Sequence, residues 1–399
     1  MSSPSRTTAW PDRLFVDGPK RVLTIDGGGV RGAVAVAFLQ KLEQTLRDRY
    51  GRPDLVLSDY FDLIGGTSVG AIFAAGLALG ASASELVETF NSMAPRLFGR
   101  SSSILPRLPL IQARFDPRRL ASLLREQFGD VTLGSAAWRT GFGAVSKRID
   151  TGSTWVLTNC PRAKYWDGDP AEIAAGVAEA QRRATPNRDY PLAKVVQSSA
   201  AAPVYFDLVP IEVIRGQPGV FFDGAMTPHG NPALQMAMVA LMPGYGFNWS
   251  AGAEQLLIVS VGTGAPRPRK PQWVGQKSPA IVKALHALIS IAYDTSELGV
   301  ATLQWLGASP QPWPINSEIG DATPGPAGHR PLWTVQRYDS PLEQRWLKDK
   351  LGREYDSKRM SRLERMDDDR IMPELFEIGT AAAAHQVRAE HFSDAFAPP

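Results

Sequence analysis

Cysteine and histidine are scarce in this sequence. Its 399 residues include one cysteine, Cys160, and five histidines. A single thiol excludes a disulfide framework and a cysteine-rich zinc site. His229, His286, His329, His385 and His391 are scattered, without the close spacing of a metal-binding helix, so no histidine-based metal site is expected. An excess of one charge is also lacking. Lys plus Arg number 43 and Asp plus Glu 40, a net +3 spread along the chain, which argues against nucleic acid as the partner. The N-terminal residues contain no apolar core of a secretory signal, which leads us to expect a cytoplasmic protein. There is no internal repeat. Long apolar runs are missing too. Residues 63–84 carry no charge, but they are rich in glycine and alanine and read as a buried strand, turn and helix. The uncharged stretch 224–253 is interrupted by Pro228, Pro232 and Pro243 and cannot be one spanning helix.

What is present is the 44% apolar and 21% charged composition of a soluble globular protein, long enough for a sizeable core. Residues 1–19 read as a loose lead-in, 20–391 as one domain, and 392–399 as a tail. Strands are expected at Arg21–Ile25, Phe61–Ile64, Thr154–Thr158, Val220–Phe222, Leu256–Val261 and Leu332–Val335. Helical periodicity falls between them: Arg31 to Tyr50, Val69–Leu79, an Asp116-capped helix to Phe128, Pro279–Leu298 and Glu374–Glu390. Strands alternating with helices predict an α/β fold, three layers deep, with a mostly parallel central sheet covered on both faces. The segments Ala265–Pro279, basic and proline-containing, and Ala308–Pro331, rich in proline and glycine, read as surface loops.

Two glycine motifs carry the chemistry. Asp26-Gly27-Gly28-Gly29-Val30-Arg31-Gly32 lies between a strand and a helix, and Gly27, Gly29 and Gly32 have the spacing of a dinucleotide-binding fingerprint. That reading wants an acidic residue about 20 positions on, at the end of a second strand. Asp48 is near that distance but in the first helix. The same backbone can cradle any anion, including a developing oxyanion. Gly66-Thr67-Ser68-Val69-Gly70 joins a short strand to an alanine-rich helix. This is the context of a nucleophile elbow, in which Gly66 and Gly70 permit a sharp turn and leave Ser68 exposed at a helix N-terminus. A serine nucleophile needs a base. Asp223, after Val220-Phe221-Phe222 and before Gly224, is the carboxylate expected at the C-terminal edge of the sheet, or else a turn residue serving local donors. His229 is an auxiliary candidate.

Taken together and in this order, these motifs resemble those of patatin-like phospholipases, lipid acyl hydrolases with bacterial members, related in fold to cytosolic phospholipase A2. Further blocks extend the likeness over roughly residues 20–390: Ser198–Phe206, Asn231-Pro232-Ala233, Ser260–Gly264, Tyr338, and Met366–Asp369 followed by Leu375–Gly379. The departure is His229-Gly230-Asn231-Pro232, where the family often has paired asparagines. The resemblance implies a Ser68–Asp223 dyad, an oxyanion hole from Gly27, Gly28 and Gly29 with Arg31 shaping the loop, and no cofactor or metal. It implies an acyl-ester lipid substrate, most simply a phospholipid, met in peripheral contact with a membrane. The apolar run Ser101–Ile111, near Arg107 and Arg114, and the basic segment near Arg267 are the candidate contacts. A small-molecule or protein activator is compatible with the long loops. The readings set beside this one are a Rossmann-type oxidoreductase using residues 27–32, a ligand-gated phospholipase effector, and a catalytically silent lipid-binding relative.

Overall fold

The apolar runs become strands whose side chains alternate between two cores. In the computed structural model, which describes residues 10–98, 116–203, 205–264 and 279–398, one sheet contains β1 Lys20–Ile25, β2 Leu63–Thr67, β3 Gly141–Arg148, β4 Thr154–Thr158, β5 Val209–Ile214, β6 Gln217–Asp223, β7 Leu256–Val261 and β8 Thr334–Tyr338. On one face Leu23, Ile25, Ile64, Leu257 and Val259 pack with the helices Gly32–Tyr50, Val69–Ala78 and Met372–Gln386. On the other, Val22, Leu63, Leu256, Ile258 and Val335 pack with Met236 and Ala237 of helix Ala233–Leu241 and Leu303 of helix Ala280–Leu306. Parallel strands need long crossovers, and the crossover helices cover both faces, so the central strands are buried throughout. The molecule is therefore a three-layer α/β structure.

The hydrogen-bonded path runs β5-β6-β3-β2-β1-β7-β8, with β4 also on β3. Strands β2, β1, β7 and β8 are parallel to their neighbours and to β3, whereas β4, β5 and β6 pair antiparallel. The register at β3 positions the site. Val145 pairs with Val156 of β4 and Thr67 of β2, while Ser146 pairs with Trp155 of β4 and Asp223 of β6. A residue has only two edges, so β2 and β6 share the edge of β3 away from β4. They meet head to head, and their meeting ends carry Thr67-Ser68 and Asp223.

Several boundaries differ from the sequence reading. Gly65 and Gly66 belong to β2 and not to the turn after it, because β2 stays paired with β1 and β3 through both. The last strand lies at Thr334–Tyr338, three residues beyond the expected end, and the long helix continues to Leu306. The C-terminal helix is Met372–Gln386. Two strands escaped prediction. β3 is interrupted by Gly141 and Gly143, and Pro210 in β5 argues against a strand except at a sheet edge, where β5 lies. Residues 309–333 form no helix or strand beyond an isolated bridge between Asn316 and Gly320, as expected of a long loop. The candidate membrane contact Ser101–Ile111 and all of the basic segment except Pro279 lie outside the described residues. No described helix is long and apolar enough to cross a membrane.

Candidate active site

Ser68 sits between β2 and the helix Val69–Ala78 with φ +57° and ψ −127°. This backbone region is almost reserved for glycine, and a serine held there stores strain that the surrounding packing must sustain. Two close crossings provide that packing. A Cβ at Gly66 would lie 2.1 Å from the Gly70 carbonyl oxygen, and one at Gly70 would lie 2.2 Å from that of Ile25. Strand, elbow and helix thus touch backbone to backbone.

The Ser68 hydroxyl donates to Asp223 Oδ2 at 2.7 Å, and the other carboxylate oxygen accepts the Ala225 N–H at 2.7 Å. Asp223 is 2% exposed. Burial pushes its carboxyl up to about 6, against the opposing pull of the Ala225 N–H and the Ser68 hydroxyl. Such a carboxylate is a better proton acceptor than an exposed one, and still ionised at neutral pH. Asp223 does end a strand, but not at the C-terminal edge of a parallel one. β6 runs antiparallel to β3 and brings Asp223 to Ser68 from the opposite direction.

Ser199, in helix Leu192–Ala200, bridges the junction. Its hydroxyl donates to the Val145 carbonyl at 2.6 Å and accepts the Ser68 N–H at 3.0 Å. The neighbouring Ser198 hydroxyl bonds Ser146 instead. The Ser198-Ser199 pair, which opens one of the family-like blocks, thus ties the gap between β2 and β6 to the helix beneath it.

The glycine-rich turn lies across from Ser68. Gly29 has φ +58°, and a Cβ there would approach the Met366 carbonyl oxygen to 2.3 Å, so only glycine fits. Gly27 corrects one expectation: its N–H donates to the Gly230 carbonyl at 3.0 Å and is not available to a bound oxyanion. Its carbonyl accepts the Thr263 hydroxyl at 2.7 Å. The N–H groups of Gly28 and Gly29 form no hydrogen bond among the described residues. Arg31 is buried at the cavity wall, with Nε and Nη1 unpartnered among the described residues.

Arg337 of β8 anchors the turn from behind. It makes two bonds to the Asp26 carboxylate, at 3.0 and 2.7 Å, and one to Asp339 at 2.7 Å, and its Nη1 also reaches Ser260. Asp339 in turn accepts the N–H groups of Gly264 and Ser340. All three charged side chains are buried, where an uncompensated partner would be costly. Sequence reading missed this cluster, because Arg337 is 311 positions from Asp26.

His229 contributes its backbone: its carbonyl accepts the Thr67 hydroxyl at 2.7 Å. Asp48, the carboxylate a dinucleotide would want, is bonded to Gln44 on the exposed side of the first helix, not at a strand end. Among the described residues no three His, Cys, Asp or Glu side chains gather as a metal site.

Ser68, Asp223, Gly28, Gly29 and Arg31 all line one cavity of about 1150 Å³. A hydroxyl able to pass its proton to a buried carboxylate, in one cavity with two amides that have no partner among the described residues, is an arrangement for attack on a carbonyl carbon.

Comparison with known proteins gives the same direction. A family model described as patatin-like phospholipase matches residues 23–237. Patatin-07 of Solanum tuberosum is 28% identical over 259 residues, covering 61% of this chain and 60% of that protein. Another Solanum tuberosum protein, Patatin, is 27% identical over 255 residues, with 61% and 60% covered. The chain thus matches about 60% of the length of these relatives. Among solved structures, VipD from Legionella pneumophila aligns with a TM-score of 0.32 and 12% identity, covering 92% of this chain and 67% of that one. Full-length ExoU of Pseudomonas aeruginosa, solved with SpcU, aligns at 0.25 and 15% identity, covering 69% and 52%.

Proposed function

From the premise that the chain belongs to the patatin-like phospholipase family, we propose that it hydrolyses acyl-ester lipids with Ser68 as nucleophile and Asp223 as base. The observation that carries this reading is the 2.7 Å hydrogen bond from the Ser68 hydroxyl to a buried carboxylate, at a turn whose strained backbone presents the hydroxyl to the cavity.

Asp223 Oδ2 takes the Ser68 proton as Oγ attacks the ester carbonyl carbon. The carbonyl oxygen becomes an oxyanion, which the Gly28 and Gly29 N–H groups receive. Collapse of the tetrahedral species breaks the bond to the alcohol, and Asp223 returns the proton to the leaving oxygen. The acyl-serine is then opened by water, which gives a proton to Asp223 as it attacks. The second collapse releases the fatty acid and passes that proton back to Ser68 Oγ. Two states of one carboxyl group serve both halves, and a pKa near 6 suits both acceptance and return near neutral pH.

A phospholipid is the favoured substrate. The cavity is largely apolar, as an acyl chain requires, and the family that the chain matches is one of phospholipases. Such a substrate is met at a membrane surface, so peripheral contact with lipid belongs to this reading. The oxyanion is assigned to Gly28 and Gly29 alone, with Gly27 as the packing residue beneath Ser68. A Cβ at Gly27 would come within 3.2 Å of the Ser68 Cβ.

The test is hydrolysis of a phospholipid mixture together with labelling by a fluorophosphonate probe. Ser68→Ala is expected to abolish labelling and to reduce hydrolysis by about 10³-fold or more. Asp223→Asn should suppress hydrolysis comparably. Labelling that persists in Ser68→Ala, or near-normal turnover in Asp223→Asn, overturns the assignment.

A further inference from the structure

The cavity beside Ser68 has an apolar arm that the proton-transfer chemistry does not use. The elbow helix Val69–Ala78 turns Val69, Ile72, Phe73 and Gly76 toward it, side chains one and two turns apart on one face. The helix Ala83–Phe98 answers with Leu86, Phe90, Met93 and Leu97 at the same periodicity, and helix Pro117–Phe128 adds Leu120 and Phe128. Thr89 and Gln127 are the polar side chains these helices contribute. The arm therefore starts at the nucleophile and follows the elbow helix away from it, between walls that offer a ligand little beyond dispersion and burial.

Gly76 breaks the apolar row. It lies eight residues beyond Ser68, about 12 Å along the helix axis at 1.5 Å per residue. A Cβ built there meets Leu86 Cδ2 at 2.9 Å and, its own turn of helix aside, no other heavy atom within 4 Å. Unlike Gly66 and Gly70, Gly76 is not pressed by backbone. It is a missing side chain facing the movable end of one leucine, with open space otherwise. Nothing in the helix requires glycine at this position, since no left-handed φ is found there.

We propose that Gly76, with Leu86 opposite, sets the length of acyl chain the site accepts: the chain bonded at Ser68 lies along the elbow helix past Ile72 and crosses the gap over Gly76. The inference rests on the reading of Ser68 as an acyl-transferring nucleophile and deepens it, naming long unbranched acyl groups as the preferred class. Shorter chains end before Gly76 and do not sense it. Longer ones need the gap.

Two measurements on the full chain keep the inference separable from the hydrolase reading. The first is kcat/KM for butanoate, octanoate and dodecanoate esters of one alcohol. The second is displacement of a fluorescent fatty acid by the corresponding free acids, which requires no catalysis. Gly76→Val is expected to lower the dodecanoate-to-butanoate ratio of kcat/KM about tenfold or more, and to weaken dodecanoate binding by a similar factor. Adding Leu86→Ala should restore part of both by returning the space. Were Gly76→Val to misfold by circular dichroism, Ile72→Phe narrows the same arm nearer the nucleophile and should penalise octanoate as well. An unchanged length preference in folded variants overturns the proposal. Should the wild type hydrolyse no ester, the hydrolase reading falls while the displacement series still decides the role of Gly76.

Discussion

Asp223 does its proposed work because it is expensive to bury. Its folded pKa of about 6 lies above its ordinary 3.8, so the native state binds this proton more tightly than the unfolded chain does. Between those values stability falls as pH rises, and above about 6 the full penalty is present, on the order of 2–3 kcal/mol. The same group must be ionised to accept the Ser68 proton, so kcat/KM should fall through an acid limb near pH 6, about tenfold per unit below it. Asp223→Asn should then be inactive yet melt at higher temperature than wild type near pH 8, with the advantage vanishing as pH approaches 4. Thermal unfolding at the two pH values checks this; a variant less stable than wild type at both would mean that hydrogen bonding, not desolvation, dominates at this site. Ser68 and Asp223 could be singled out from sequence because each lies in a short local pattern of glycine and strand. Ser199 and Thr263 fell inside blocks that resemble the family, but their contacts could not be read there, and Arg337 was not singled out at all. Each acts through a single side chain brought close across more than a hundred residues, so the contact it makes is not written in its neighbours.

At the scale of elements, the tightest constraint is the crossing of β1, β2 and the elbow helix. Here backbone meets backbone and no side chain can give way. Gly70→Ala would drive a Cβ against the Ile25 carbonyl and should destabilise the fold by about 3 kcal/mol or more. Gly299→Ala, in the interior of helix Ala280–Leu306 with nothing within 4 Å of the new atom, should instead stabilise by about 0.5–1 kcal/mol. Denaturant unfolding of the two variants reads the difference, and similar losses in both would remove the close-packing argument. The parallel strands were legible because burial on both faces makes them continuous apolar runs. β3 was not, since Gly143, which lets Met236 pack close, and Gly141, which lies against the Asp62 carbonyl, also erase its strand signature. The alternation of β5, buried at Val209, Ile211 and Val213, was legible in principle, but Pro210 spoke against it.

The whole molecule extends the site well beyond the part that matches the family model. That match ends at residue 237, before β7 and β8. Yet β7 pairs with β1 along its full length, Thr263 just after β7 holds the Gly27 carbonyl, and Arg337 on β8 holds Asp26. A chain stopped at 237 would expose β1 as a long apolar edge and release the glycine-rich turn from behind. It should show no cooperative unfolding transition and no fluorophosphonate labelling; a stable, labelled fragment would show that the later strands are dispensable. The head-to-head junction on β3 has a consequence of its own. Serine and aspartate come from strands that never touch side by side, and a third strand serves as the jig that spaces them. Were β2 or β6 misthreaded by one residue along that jig, its tip would shift by about 3.3 Å and its side chains would point to the opposite face. Much of the ladder could re-form, leaving a molecule ordered in its backbone and mute in its chemistry. Correct threading of β3 is therefore where folding and reactivity become the same event.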